Sequence, residues 1–146
     1  MTIAELLVRA RVAQVKFERD FNQEQVDLIV KEVAKTVYDN AETLSRLAVD
    51  ETEMGVYEDK VAKCKGKSKG VWYDLRDKRS MGVISHDPVT NLIEIAKPIG
   101  VVAGITPMTN PVVTPMSKIM FAIKTKNAII IAPHPKARRC SGLTVE

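Results

Sequence analysis

A chain of 146 residues, 45% of them hydrophobic, is of single-domain size and holds enough apolar material for a packed core, which excludes a disordered segment. Its 22 Lys and Arg against 18 Asp and Glu leave a formal charge of +4, an excess that would suit an anionic ligand or nucleic acid. Cys64 and Cys140 form neither a CxxC pair nor a disulfide framework, no signal-like apolar segment opens the chain, and no run reaches the ~18 apolar residues of a membrane span; a cytoplasmic protein with no membrane partner is expected.

Thr2 and Glu5 stand at capping-box spacing, and Ile3, Leu6, Leu7, Ala10 and Phe17 recur at helical intervals, which predicts an amphipathic first helix. Asn22 is placed to cap a second, whose Val26, Ile29, Val30, Val33, Ala34 and Val37 follow the i, i+3, i+4, i+7 pattern. A third begins at Asn40, turns Ala41, Leu44, Leu47 and Ala48 inward, and ends near Met54 with Gly55 as its left-handed terminator. From Val56 to about Leu75 a fourth helix carries Tyr57, Val61, Cys64, Val71 and Leu75 on its apolar side, weakened by Gly66 and Gly70. Cys64 is then a packing residue. Lys60, Lys63, Lys65, Lys67 and Lys69, with Glu58 and Asp59 beside them, read as a solvated face of this helix and not as a nucleic-acid site, because no aromatic stacking platform accompanies them.

After Ser80 the period changes. Met81–Ser85 and Leu92–Ala96 are short, partly β-branched runs separated by His86-Asp87-Pro88, which predicts a hairpin with His86 in its turn; no partner stands at metal-ligand spacing, so no metal is expected. Pro98 precedes Ile99–Ile105, which reads as a strand buried on both faces. In the following turn Asn110-Pro111 fits an N-cap with proline at the first helical position. Val112, Met116, Ile119, Met120 and Ile123 form that helix's inner stripe, and Lys124 to Lys126 bring cations to its C-terminus, where the macrodipole favours them. Ala128–Ala132 is a second buried strand.

Strand, helix and strand at these lengths make a βαβ unit with parallel strands and a right-handed crossover. Ligands of such sheets bind beyond the carboxyl ends of the strands, here Thr106 to Asn110 and Pro133 to Lys136. The G-x-G-x-x-G dinucleotide fingerprint is missing, since Gly100 and Gly104 lie in the strand at the wrong spacing. Asn110 is read equally well as a helix cap or a functional group, and His134, between two prolines, as a rigid turn in preference to a ligand contact.

The run Lys97-Pro98-Ile99-Gly100-Val101-Val102-Ala103-Gly104-Ile105-Thr106-Pro107-Met108-Thr109-Asn110-Pro111 resembles the P-x-G-V-V-x-x-I-x-P segment of the aldehyde dehydrogenase superfamily. Lys124–Ile130 followed by Ala132-Pro133-His134-Pro135-Lys136-Ala137, and Glu51–Val61 with its E-T-x-M-G-x-x-E-D-K pattern, are similar to the CoA-acylating branch, as in the aldehyde dehydrogenase half of bifunctional aldehyde-alcohol dehydrogenases. The likeness covers residues from about 40 to 140.

The resemblance implies an α/β fold in which N-terminal helices and a β-hairpin lead into the first βαβ unit of a Rossmann-like parallel sheet. Residues 1–78 would be the helical segment, 79–97 the hairpin, and 98–146 the start of an incomplete NAD-binding α/β domain, with the catalytic domain absent. It implies oxidation of a small aldehyde with NAD as cofactor, NADP left open, and CoA as co-substrate, in a homo-oligomer without nucleic-acid partners. The family's P-W-N-F-P segment supplies an asparagine to the oxyanion hole. Gapless alignment sets Thr109 at that position with Asn110 beside it, and the amide, as the better donor, makes Asn110 the preferred candidate. Ile105, Thr106, Pro107, Met108, Pro133, His134, Pro135 and Lys136 are the implied cofactor contacts. The family's ribose-binding lysine is replaced by Ala132, which implies a differently shaped adenosine pocket. Family members run to about three times this length, and their nucleophilic cysteine lies in a separate domain, so Cys140 is not its counterpart and this chain alone is expected to be inactive. Two other readings stay open: a non-acylating aldehyde dehydrogenase, and an interaction or assembly module.

Overall fold

The computed structural model describes residues 2–146. Four helices come first, α1 (Ile3–Asp20), α2 (Gln23–Asp39), α3 (Ala41–Thr52) and α4 (Tyr57–Leu75); then follow the strands β1 (Gly82–Asp87), β2 (Leu92–Ala96) and β3 (Val101–Thr106), helix α5 (Val113–Lys124), strand β4 (Ala128–Pro133), a 3-10 turn (Pro135–Ala137) and α6 (Arg138–Val145).

The helix starts follow their local chemistry. Thr2 and Glu5 exchange both bonds of the capping box at α1, and Asn22 and Gln25 do the same at α2. Asn40 begins α3 as expected, but through its carbonyl, which accepts from the Leu44 amide. Its side chain donates to the Thr36 carbonyl and closes α2, while α3 starts without a side-chain cap. The left-handed terminator of α3 is Glu53 (φ 54°), two residues before Gly55. Gly55 is itself at φ +82°, and a Cβ there would meet Cε of Lys60 at 3.0 Å, so glycine lets the lysine stem lie across the turn.

The core is helical. Val26, Val30, Ala34 and Val37 of α2, Leu44 and Ala48 of α3, Cys64 and Leu75 of α4, and Met116 and Met120 of α5 pack into one cluster, with Val112 and Cys140 joining from the loop before α5 and from α6. The α2 and α5 stripes thus lie where hydrophobic spacing puts them. Helix α1 meets this core only through half-buried Phe17: its one buried residue is Gln14, and Ile3, Val8, Val12 and Val15 are exposed. It rests instead on the β3–β4 pair.

β1 and β2 pair antiparallel, with a register shift between Val83 and Ser85. His86 and Asp87 belong to β1, opposite Ile93 and Leu92, so the turn begins at Pro88, two residues later than the His-Asp-Pro cluster suggests. The Asp87 carboxylate accepts from the amides of Val89 and Thr90 and from the Thr90 hydroxyl, which holds the turn.

β3 and β4 pair parallel, from Val101 opposite Ala128 to Thr106 opposite Pro133. Neither strand is buried on both faces: Gly104 and Thr106 are buried, while Ala103 and Ile105 face outward, Ile105 at 75% exposure. An added Cβ at Gly104 would meet Cδ1 of Ile131 at 2.8 Å and Cδ1 of Ile129 at 3.0 Å, so the missing side chain makes room for the β4 isoleucines. Asn127 closes the other end of the pair, its Oδ1 accepting from the amides of Ile99 (2.7 Å) and Gly100 (2.8 Å).

Helix α5 starts at Val113, so Asn110-Pro111 is a bend before it and not its cap. At its other end the amides of Lys126 and Asn127 reach the carbonyls of Ile123 and Ala122, a Schellman motif with Lys126 in the left-handed position (φ 55°). The strain of a non-glycine there is offset by tertiary bonds. Lys126 Nζ donates to the Glu18 carbonyl, and the Lys126 carbonyl accepts from buried Gln14. Lys124 does not serve the macrodipole from solvent either: its side chain is 2% exposed and is ion-paired to Asp27 of α2.

Candidate functional site

The carboxyl ends of β3 and β4 face the same way because the strands are parallel, so the segments after Thr106 and Pro133 leave the sheet side by side. The amide of His134 donates to the Thr106 carbonyl (3.1 Å), extending the ladder one step into the loop. His134 then closes the 3-10 turn: its Nδ1 accepts from the Lys136 amide at 3.1 Å, with Pro135 at the first turn position. The lone pair of Nδ1 is thereby used, and the neutral ring carries its proton on Nε2 as a free donor. The rigid-turn reading of His134 is therefore correct as structure, and it leaves one ring nitrogen for a ligand.

Thr106 is 2% exposed, and its hydroxyl has no hydrogen-bond partner among the described residues. An unpaired buried hydroxyl costs about 1–3 kcal/mol, so its presence at the mouth of the sheet is a cost without a structural return. Beyond it, Ile105, Pro107 and Thr109 are exposed, and Met108 and Asn110 are half-buried.

The far half of this loop is anchored elsewhere. The Pro111 carbonyl accepts from the hydroxyl of buried Ser141 in α6 (3.0 Å). Lys60 Nζ donates to the Thr109 carbonyl and Lys63 Nζ to Asn110 Oδ1, both at 3.3 Å. The structure therefore joins Thr106 to Pro133 and His134 at the sheet, and Thr109 and Asn110 to α4. Lys60 and Lys63 are not merely members of a solvated face. Their i, i+3 spacing was the available signal, since it puts both on one side of the helix, but nothing local in the sequence says what that side meets. Burial, followed by the like charge of Lys63, lowers the Lys60 ammonium below the usual lysine range. Lys65 pairs with Glu42, and Lys69 lies over the Tyr38 ring.

Glu51 is a second residue that periodicity did not single out. Its carboxylate accepts from the amides of Arg139 (2.8 Å) and Cys140 (2.7 Å), capping the free N-terminus of α6 from a distant helix. The E-T-x-M-G-x-x-E-D-K run thus supplies a cap through Glu51, a turn through Gly55 and a loop anchor through Lys60.

Neither cysteine is placed to attack a substrate. Cys64 is buried and shares a contact with the Ser45 hydroxyl (3.6 Å); burial raises its thiol above the ordinary value. Cys140 is fully buried, and burial together with the negative charge of Glu51 pushes its thiol up to about 12. Among the described residues no group of three or more His, Cys, Asp or Glu is arranged to hold a metal ion, and no helix is long and apolar enough to cross a membrane.

The family model described as aldehyde dehydrogenase family matches residues 2–146. The chain is 56% identical, over its whole length, to the succinate-semialdehyde dehydrogenase (acetylating) of Clostridium kluyveri, of which it spans 32%. It is 41% identical over 133 residues to the bifunctional aldehyde-alcohol dehydrogenase of Escherichia coli K12, covering 91% of this chain and 15% of that one. Among solved structures, an acetylating aldehyde dehydrogenase from Geobacillus thermoglucosidasius superposes with a TM-score of 0.92 at 36% identity, covering 97% of this chain and 31% of that chain.

Proposed function

The chain belongs to the aldehyde dehydrogenase family, and on that premise we propose that it is the N-terminal portion of a CoA-acylating enzyme, which converts an aldehyde, CoA and NAD to an acyl-CoA and NADH. It spans about a third of the C. kluyveri relative and of the superposed structure, so the activity belongs to a longer protein. The observation that carries the reading is the paired mouth of β3 and β4, where a buried, unpartnered hydroxyl and an available histidine nitrogen stand together at the end of a parallel sheet.

These groups fit a nicotinamide dinucleotide. Ile105, Thr106, Pro107 and Met108 would line its nicotinamide end, with the Thr106 hydroxyl gaining the partner it lacks. Pro133, His134, Pro135 and Lys136 would contact the adenosine end, His134 through Nε2. When bound, NAD supplies the hydride acceptor. Asn110, with Thr109 as the alternative, would donate to the oxygen of the aldehyde as charge develops there. The nucleophile must come from outside this chain, because Cys64 and Cys140 are buried and held protonated.

The acylating assignment is supported by relatives named as acetylating enzymes. It is tested by following NADH formation from aldehyde in the full-length protein with and without CoA. Turnover should require CoA and yield the acyl thioester. Equal rates in its absence would assign release to water and return the protein to the non-acylating class. A docking role accompanies this one: Val83, Ile84, Leu92, Ile93 and Ile95 of the hairpin are exposed, an apolar surface suited to contacts within a homo-oligomer.

A further inference from the structure

The Thr109–Asn110 peptide carries the candidate oxyanion donor, yet its own element does little to fix it. No side-chain cap bond joins it to α5, which begins three residues beyond Asn110. The Asn110 carbonyl accepts from the Thr114 amide of α5 (3.2 Å), while the Thr109 carbonyl and the Asn110 side chain are held by two cations from α4, Lys60 on the former and Lys63 on Asn110 Oδ1. An ammonium has three donors and no acceptor, so the amide atom that faces Lys63 is necessarily the oxygen. Asn110 Nδ2 is then the side of the carboxamide left to donate, and the cation on the oxygen polarises the N–H bonds further.

Lys60 is held in turn. Its stem crosses the Gly55 turn where any side chain at 55 would press on Cε, and it is half-buried, enough to lower its ammonium below the usual lysine range. The two lysines thus arise from one helix whose start is shaped to bring them to the loop.

We propose that Lys60 and Lys63 are positioning residues for the oxyanion site, Lys60 setting the path of the Thr109–Asn110 backbone and Lys63 the orientation of the Asn110 amide, so that Asn110 and not Thr109 is the donor. The inference rests on the oxyanion reading proposed above, and deepens it. It gives a role to lysines that charge patterning alone assigns to solvent.

The test is steady-state kinetics on the full-length enzyme with Lys63→Met, Lys63→Arg, Lys60→Met and Asn110→Ala. Removing a single oxyanion donor lowers kcat ~10²-fold or more, which is the loss expected of N110A. Lys63→Met should lower kcat ~10-fold by leaving the amide free to turn, with KM for aldehyde within about twofold. Lys63→Arg, which still donates to Oδ1, should recover most of that loss, and Lys60→Met should act in the same direction as K63M. The side-chain amide protons of Asn110, followed by NMR, should move toward the shifts of an unrestrained asparagine in K63M and stay near their wild-type positions in K63R. Wild-type kcat in K63M beside an impaired N110A would overturn the positioning role and leave the oxyanion reading standing. Wild-type kcat in N110A would overturn the oxyanion reading itself, and the inference with it.

Discussion

At the scale of single residues, the cysteines are kept buried and protonated. Cys140 sits at the N-terminus of α6, a place that ordinarily acidifies a thiol, yet its burial and the Glu51 carboxylate on the same helix end work the other way. The folded thiol keeps its proton where the unfolded one, near its ordinary value of 9.0, has lost it. Stability from this group is therefore full below about pH 9 and is lost as pH rises toward about 12. Urea unfolding across that window should show Cys140→Ala losing less stability with pH than the parent chain, and parallel pH profiles would contradict the burial assigned to this thiol. The inert character of Cys64 was legible from helical spacing, and that of Cys140 only from the family likeness. The roles of Lys60, Lys63 and Gln14 were not legible, because each is a polar residue whose partner lies far along the chain, and hydrophobic periodicity carries no information about such pairs.

Among the elements, α2, α4 and the βαβ unit lie close to their expected bounds, because each combines strong apolar periodicity with clear stops. Apart from Asn40, whose side chain is kept by a local bond to the Thr36 carbonyl four residues back, the departures share a cause: tertiary bonds overrule local signals at element ends. Asn110 is taken by Lys63 before it can cap α5, and Lys126 occupies a left-handed position normally given to glycine because Gln14 and Glu18 hold it there. Helix α6 has the same dependence. It is short, lacks a side-chain cap of its own and receives Glu51 across the fold. Glu51→Ala should cost about 1–2 kcal/mol, the usual worth of a helix cap assisted by charge, measured as a shift in urea midpoint. Glu51→Gln, which keeps an acceptor without the charge, should cost less. Equal losses in both would assign the effect to charge alone.

For the whole molecule, the division between structure and surface follows from what the chain spans. Its helical core is closed, but the sheet is only two strands wide, the hairpin carries apolar side chains into solvent, and α1 exposes Val8, Val12 and Val15. Such surfaces are costly in an isolated domain and ordinary in one that continues into further layers. The fold and the location of the paired loops could be read from sequence because a parallel strand pair fixes its carboxyl end; the chemistry proposed for them could not, because neither cysteine of this chain is placed to act as its nucleophile. The central claim is that this chain carries the cofactor loops and the oxyanion donor while another segment carries the thiol. Peptide mapping of the acyl-enzyme, trapped in the full-length protein with aldehyde and NAD in the absence of CoA, tests it most directly. The acyl group is expected on a cysteine outside residues 1–146, and its appearance on Cys64 or Cys140 would contradict the claim.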